Sequence, residues 1–178
     1  MEVHRELLRW YSLNKRPLPW RAQRDPYAIW LSEVMLQQTT VAAVLPYWQK
    51  FIERFPTVQD LATAPLSEVL ALWSGLGYYS RAKLLHQSAK KLAHTGFPKT
   101  WSELIQLPGF GPYTARALSS IAFAEPVGVV DGNVIRFLCR LTGQKIPWWQ
   151  SAGRSRIQNL SDKLASMGQP GETNQAVM

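Results

Sequence analysis

An all-α fold is predicted by three observations. Apolar residues recur at helical spacing through most of the chain, no segment alternates apolar and polar residues convincingly, and proline and glycine punctuate the periodic runs. The 178 residues suffice for one domain and part of a second. Hydrophobic residues make up 46% and charged residues only 18%, which suits a packed core and excludes wholesale disorder.

Residues 1–13 read as an amphipathic helix with Val3, Leu7, Leu8 and Tyr11 on one stripe. Arg16-Pro-Leu-Pro-Trp20 breaks it. Asp25 caps the next helix and Pro26 opens it; it runs to about Thr39. Another covers about 40–54 and ends near Pro56. Thr57 to Ala64 is short and helical, and Ser67 caps a helix to about Trp73. Gly75 and Gly77 mark a turn before a helix over 78–94. Trp101 to Gln106 and Pro112 to Phe123 are helices on either side of a glycine hairpin. A helix over 132–142 follows an Asp-Gly turn. Residues 143–153 read as a loop with Pro147 and two tryptophans, 154–167 as a helix, and a further helix begins near Thr173.

The net charge is +8, and its distribution matters more than its sum. Between Glu68 and Glu125 the only acid is Glu103, against Arg81, Lys83, Lys90, Lys91, Lys99 and Arg116. Between Asp131 and Asp162 there is none, against Arg136, Arg140, Lys145, Arg154 and Arg156. Such a basic face suits phosphate backbones, although a solvated surface accounts for charge as well. The lone cysteine, Cys139, excludes an internal disulfide and a cysteine-only metal site. Among Ile135, Leu138 and Leu141 it reads as a buried thiol. The N-terminus has no apolar leader core and no stretch approaches a membrane span, so an intracellular protein without membrane association is expected.

Four segments carry chemistry. In Leu107-Pro-Gly-Phe-Gly-Pro-Tyr113, Gly109 and Gly111 permit close backbone approach, and their N–H groups at a helix start form an anion site. The same glycines also serve an ordinary tight connection. Asp131, in Val129-Val-Asp-Gly-Asn133, is what a helix N-cap requires. It is also a carboxylate fit to stabilise a developing sugar cation, with Asn133 placed to orient it. In Trp30-Leu-Ser-Glu-Val-Met-Leu-Gln-Gln-Thr39, Glu33 shares a helix face with Ile29, Trp30, Leu36 and Gln37. Apolar surroundings raise a carboxyl's pKa, which would make Glu33 a general acid near neutral pH. On a poorly phased helix, Glu33 would instead be an ordinary surface glutamate. In Trp73-Ser-Gly-Leu-Gly-Tyr-Tyr-Ser-Arg81, a tyrosine can wedge into a base stack or serve as a core aromatic.

Together and in this order, these segments resemble the helix-hairpin-helix, Gly/Pro-Asp (HhH-GPD) superfamily of DNA glycosylases. Within it the chain looks like the A/G-specific (MutY-like) adenine glycosylases. The resemblance rests on Leu18-Pro-Trp-Arg21, Ser32-Glu-Val-Met-Leu-Gln-Gln-Thr39, Gly75-Leu-Gly-Tyr-Tyr-Ser-Arg81, Leu107-Pro-Gly-Phe-Gly-Pro-Tyr-Thr114, Val130-Asp-Gly-Asn-Val134 and Asn174-Gln-Ala176, spanning nearly the whole chain. It implies a six-helix barrel over roughly 22–127 and a second lobe from 1–21 with 128–178. DNA would lie between the lobes, with Glu33 and Asp131 on opposite walls.

The implied roles follow residue by residue. Glu33 matches the acid that protonates adenine N7, Asp131 the carboxylate that stabilises the sugar cation, and Asn133 a support residue. Tyr113 stands where bifunctional relatives carry a Schiff-base lysine, which implies a glycosylase without efficient lyase activity. Trp20, Arg21, Leu36 and Gln175, with Arg16 beside them, match the adenine pocket. Gln38 and Tyr78 match the residues that insert at the lesion pair. The implied partner is double-stranded DNA with an A:8-oxoguanine or A:G mispair, bound by a monomer, in the cytoplasm or nucleoid if the source is bacterial.

Family members continue past Asn174-Gln-Ala176 into a helix and four cysteines that hold a [4Fe–4S] cluster. This chain ends before them. No such cluster can form from its own cysteines, and an incomplete second lobe is expected. Two alternatives stay open: a thymine- or uracil-mismatch glycosylase, whose scaffold can also carry tyrosine at the position of Tyr113, and a DNA-binding fragment without catalysis. Glu33 with Gln37 and Gln38 favours adenine.

Overall fold

The computed structural model describes residues 2–178, and every regular element among them is helical. In order these are α1 (Glu2–Asn14), a 3-10 turn (Pro19–Arg21), α2 (Pro26–Met35), α3 (Val41–Arg54), α4 (Val58–Thr63), α5 (Leu66–Trp73), α6 (Tyr79–Thr95), α7 (Trp101–Leu104), α8 (Pro112–Phe123), α9 (Gly132–Thr142), α10 (Ser151–Ala165) and α11 (Pro170–Val177). The all-α expectation holds.

Local chemistry sets most boundaries. The Asp25 carboxylate accepts from the N–H groups of Tyr27 and Ala28, each at 3.2 Å, and Pro26 occupies the first turn. Thr57 and Asp60 form a reciprocal capping box that starts α4. Asp131 caps α9 by accepting from Val134 N–H at 2.8 Å.

Several expected ends move. α2 stops at Met35 rather than near Thr39, because the chain turns over Leu36 to Gln38 and Gln38 adopts φ +57°. Pro65, not Ser67, is the N-cap of α5. α10 begins at Ser151 and α11 at Pro170, each earlier than expected; proline favours the first turn of α11. On α1 the buried face carries His4 and Tyr11, while Val3 is exposed. Cys139 is half-buried rather than sequestered.

Two apolar clusters organise the chain. One gathers buried residues from Leu18 to Leu118, with α2 at its centre: every α2 residue after Pro26 is buried. A helix buried on all sides must be apolar all round, and α2 is, except at Ser32 and Glu33. The other gathers Ala117, Val129, Val134, Leu138, Ile146 and Ile157. α8 touches both clusters, packing on α2 and on α11.

The hairpin between α7 and α8 docks onto α2. Phe110 is buried and stacks on Trp30, with ring centroids 5.4 Å apart. Gly109 has φ +76°, and a Cβ there would sit 2.8 Å from Leu84 Cβ on α6. The position therefore requires glycine twice over, by conformation and by close approach.

Candidate active site

α2, the 3-10 turn, α8 and α11 enclose one cavity of about 560 Å³, including its open mouth. Glu33, Trp20, Arg21, Leu36, Tyr113 and Gln175 all line it, and Arg16 stands at its edge. The local causes are plain. Asp25 and Pro26 set the start of α2, which turns Glu33 inward two helical turns later. The 3-10 turn points Trp20 into the core, where it packs edge-on against Trp48 at 5.5 Å. Tyr11 on α1 steadies two lining residues. Its hydroxyl donates to Gln175 Oε1 at 3.1 Å, and the Arg21 guanidinium lies 5.6 Å from its ring centroid. The alternative of a surface glutamate is excluded, since Glu33 is 8% exposed.

Burial raises the Glu33 carboxyl to a pKa of about 7. The neighbouring Tyr113 hydroxyl and Arg21 charge pull it down, and Asp131 pushes it up. Near neutral pH, Glu33 is therefore divided between acid and carboxylate, which leaves a protonated fraction able to act as an acid. Burial and the charges of Glu33 and Asp131 all push the Tyr113 hydroxyl well above its ordinary range, so it stays protonated. It donates to Met178 Sδ at 2.9 Å.

Asp131 is not part of the cavity lining, but it acts electrostatically on both Glu33 and Tyr113. Its Oδ1 is spent on the α9 cap, and its Oδ2 accepts from Asn133 Nδ2 at 3.0 Å. Asn133 also accepts from Arg136. Capping and orientation thus coexist in one carboxylate.

Gln38 and Tyr78 lie outside the cavity, on two exposed turns. Both have left-handed backbone, with φ +57° and +50°, and Tyr78 is 59% exposed. Gly109 and Gly111 are exposed at the hairpin, and among the described residues their N–H groups meet no protein acceptor. The α8 N-terminus adds its dipole there.

Two cations counted toward a basic face turn inward instead. Arg81 is buried and donates to five backbone carbonyls around the α2 end and the Leu76-Gly77 turn. Arg116 pairs with Asp162 at 2.7 Å and lies 4.3 Å from the Trp101 ring centroid. Lys83, Lys90, Lys91, Lys99, Arg136, Arg140, Lys145, Arg154 and Arg156 remain exposed. Arg81 carried one overlooked signal: it sits in the first turn of α6, where the helix dipole disfavours a cation unless it has other partners.

The family model described as "HhH-GPD superfamily base excision DNA repair protein" matches residues 31–165. The chain belongs to the HhH-GPD superfamily. Among curated superfamily relatives, the adenine DNA glycosylase of Rattus norvegicus is 47% identical over 98% of this chain and 36% of its own length. That of Homo sapiens is 45% identical, over 97% and 34%. That of Buchnera aphidicola (subsp. Acyrthosiphon pisum) is 40% identical, over 97% and 50%. The chain thus spans between a third and a half of the length of these relatives.

The HhH-GPD fold is equally clear in space. A thermostable thymine-DNA glycosylase superposes with a TM-score of 0.83 at 25% identity, over 99% of this chain and 82% of that one. Endonuclease III in a non-covalent DNA complex superposes at 0.76 and 23% identity, over 99% and 81%, a likeness of fold alone. A [4Fe–4S] cluster, implied for longer superfamily members, is held by several thiolates. Cys139 is the sole cysteine, and among the described residues no group of three His, Cys, Asp or Glu could hold a metal. The residues present do not fit a cluster. No described helix is long and apolar enough to cross a membrane.

Proposed function

We propose that the chain hydrolyses the N-glycosidic bond of adenine mispaired with 8-oxoguanine or guanine in duplex DNA, leaving an abasic site. The observation that carries this reading is Glu33: a buried carboxyl on the wall of an open cavity with room for a base, with a pKa of about 7. Identity to adenine DNA glycosylases over nearly the whole chain supports it.

In this reading adenine leaves the stack, at a cost of a few kcal/mol that is lowest at a mispair, and enters the cavity among Trp20, Arg21, Leu36 and Gln175. Glu33 gives its proton to adenine N7. The C1′–N9 bond then breaks with its electron pair going to the base. The Asp131 carboxylate, oriented by Asn133, stabilises the positive charge left on the sugar. Water adds at C1′ and its proton returns to the site, so that water and nucleotide become free adenine and an abasic sugar.

Tyr113 offers no amine for a Schiff base, so the backbone is left uncut. Gln38 and Tyr78 occupy the vacated lesion pair, and the Gly109 and Gly111 amides hold a phosphate without reading sequence. Residues 22–127 would form the barrel lobe, with 1–21 and 128–178 forming the other wall of the DNA cleft. The chain would act as a monomer wherever cellular DNA is, in the cytoplasm or nucleoid of a bacterium.

A thymine-mismatch specificity is the second reading, favoured by the overlap with thymine-DNA glycosylase. A panel of A:8-oxoguanine, A:G, T:G and U:G duplexes, each with and without alkali, separates the readings. Cleavage of the first two only, and only after alkali, is expected. Cleavage confined to T:G or U:G would replace adenine as the substrate, and inert chain that still binds duplex would leave a non-catalytic fragment.

A further inference from the structure

One side chain bonds two separate turns. Arg81 Nη1 donates to the carbonyls of Val34 (2.8 Å), Met35 (3.0 Å) and Gln37 (2.7 Å). Its Nη2 donates to those of Leu76 (3.4 Å) and Gly77 (3.2 Å). The first three lie at and beyond the C-terminal end of α2, where helical carbonyls lose their intrahelical partners. The other two belong to the turn before α6.

The residue following each bonded group of carbonyls is the informative one. Gln38 follows Gln37, and Tyr78 follows Gly77. Both are exposed, and both are non-glycine residues held at positive φ. Such backbone persists only when its surroundings over-determine it. The Arg81 guanidinium also lies 5.4 Å from the ring centroids of both Tyr78 and Trp73. Among the described residues no other side chain hydrogen-bonds to both turns. A lysine in its place would keep the charge but could not span two turns, because an ammonium is a point donor and a guanidinium a planar fork.

We propose that Arg81 is a positioning residue that locks the two turns in one register, so that Gln38 and Tyr78 enter the duplex together. The proposal rests on the reading that these two residues insert at the mispair. It makes mispair discrimination, rather than DNA affinity in general, the property that Arg81 governs. A residue that merely stabilised the barrel would affect all duplexes alike.

The test uses Arg81→Lys in two arms. The first needs no DNA: hydrogen exchange over residues 36–39 and 76–79 should quicken together, by about tenfold or more, while protection at the Leu31 and Leu118 core amides is unchanged. Quickening of only one turn, or of neither, overturns the proposal. The second arm compares affinity for A:8-oxoguanine duplex with that for undamaged duplex. Arg81→Lys should reduce the ratio by about tenfold, yet by less than about twofold in a Tyr78→Ala background, since its effect passes through that residue. Equal loss in both backgrounds overturns the proposal. A wild-type chain without mispair preference would sink the functional reading alone, and the exchange arm would still decide whether Arg81 couples the turns. Should Arg81→Lys fail to fold, Gln38→Ala and Tyr78→Ala should be non-additive in mispair affinity; additivity overturns the coupling.

Discussion

Burial at Glu33 holds the proton on its carboxyl to higher pH and works against stability once the group ionises. Its folded pKa of about 7 stands above the ordinary 4.5, so the folded state binds the proton more tightly than the unfolded chain. The associated stability is complete below about pH 4.5 and is lost as pH rises through about 7. Glu33→Gln removes this term. It should raise stability toward denaturant by up to about 3 kcal/mol at pH 8 and change it little at pH 4.5. Equal effects at both pH values in urea titrations would contradict a buried carboxyl that must ionise in place. Tyr113 shifts in the same direction: burial and the charges of Glu33 and Asp131 raise its hydroxyl, which stays protonated, donates to Met178 Sδ and does not compete with Glu33 as an acid.

The hairpin is the element whose glycines have separable jobs. Gly109 faces Leu84 with φ +76°, whereas Gly111 has φ −84° and open space where a Cβ would go. Gly109→Ala should cost about 1–3 kcal/mol in thermal or urea unfolding. Gly111→Ala should leave stability within about 0.5 kcal/mol and weaken duplex binding several-fold, because its methyl would stand where a phosphate approaches. If Gly111→Ala binds duplex as tightly as wild type in a salt titration, the hairpin is a connection and not a phosphate grip.

Legibility in the sequence also divides by element. The hairpin, the Asp25-Pro26 start and the Asp131 cap were readable because each depends on residues with few other uses. The early end of α2 was not, since Gln38 turns the chain in a conformation that its side chain does not announce. The inward course of Arg81 and Arg116 was hidden too. A cation reads alike whether it meets solvent, phosphate or a cluster of carbonyls, and only its position on a helix hinted otherwise. The cavity gathers residues from positions 16–21, 33–36, 113 and 175, a grouping that spacing alone does not supply.

At the scale of the molecule, α8 and α10 are tied by a small polar joint. Asp162 Oδ1 accepts from Arg116 Nη1 at 2.7 Å, Gly128 N–H at 2.8 Å and Gln158 Nε2 at 3.0 Å. The joint fixes residues 128–131 as the chain passes toward Asp131, and Asn174 completes it by accepting from Val129 N–H at 3.2 Å. Asp162→Ala would leave Gly128 N–H without an acceptor, and Arg116 Nη1 and Gln158 Nε2 with only the Gly128 carbonyl. It should cost about 1–3 kcal/mol in urea unfolding and slow adenine release by misplacing Asp131. A variant equally stable and equally active would show that the joint does not position Asp131.

The central claim is that a protonated Glu33 releases adenine, and single-turnover release of free adenine from an A:8-oxoguanine duplex, followed from about pH 5 to about pH 9 for wild type and Glu33→Gln, tests it most directly. The wild-type rate should fall as pH rises through about 7, and the variant should be slower by about a hundredfold or more yet still bind the duplex. Adenine release by Glu33→Gln at the wild-type rate, or a wild-type rate that climbs across that pH range, would contradict it.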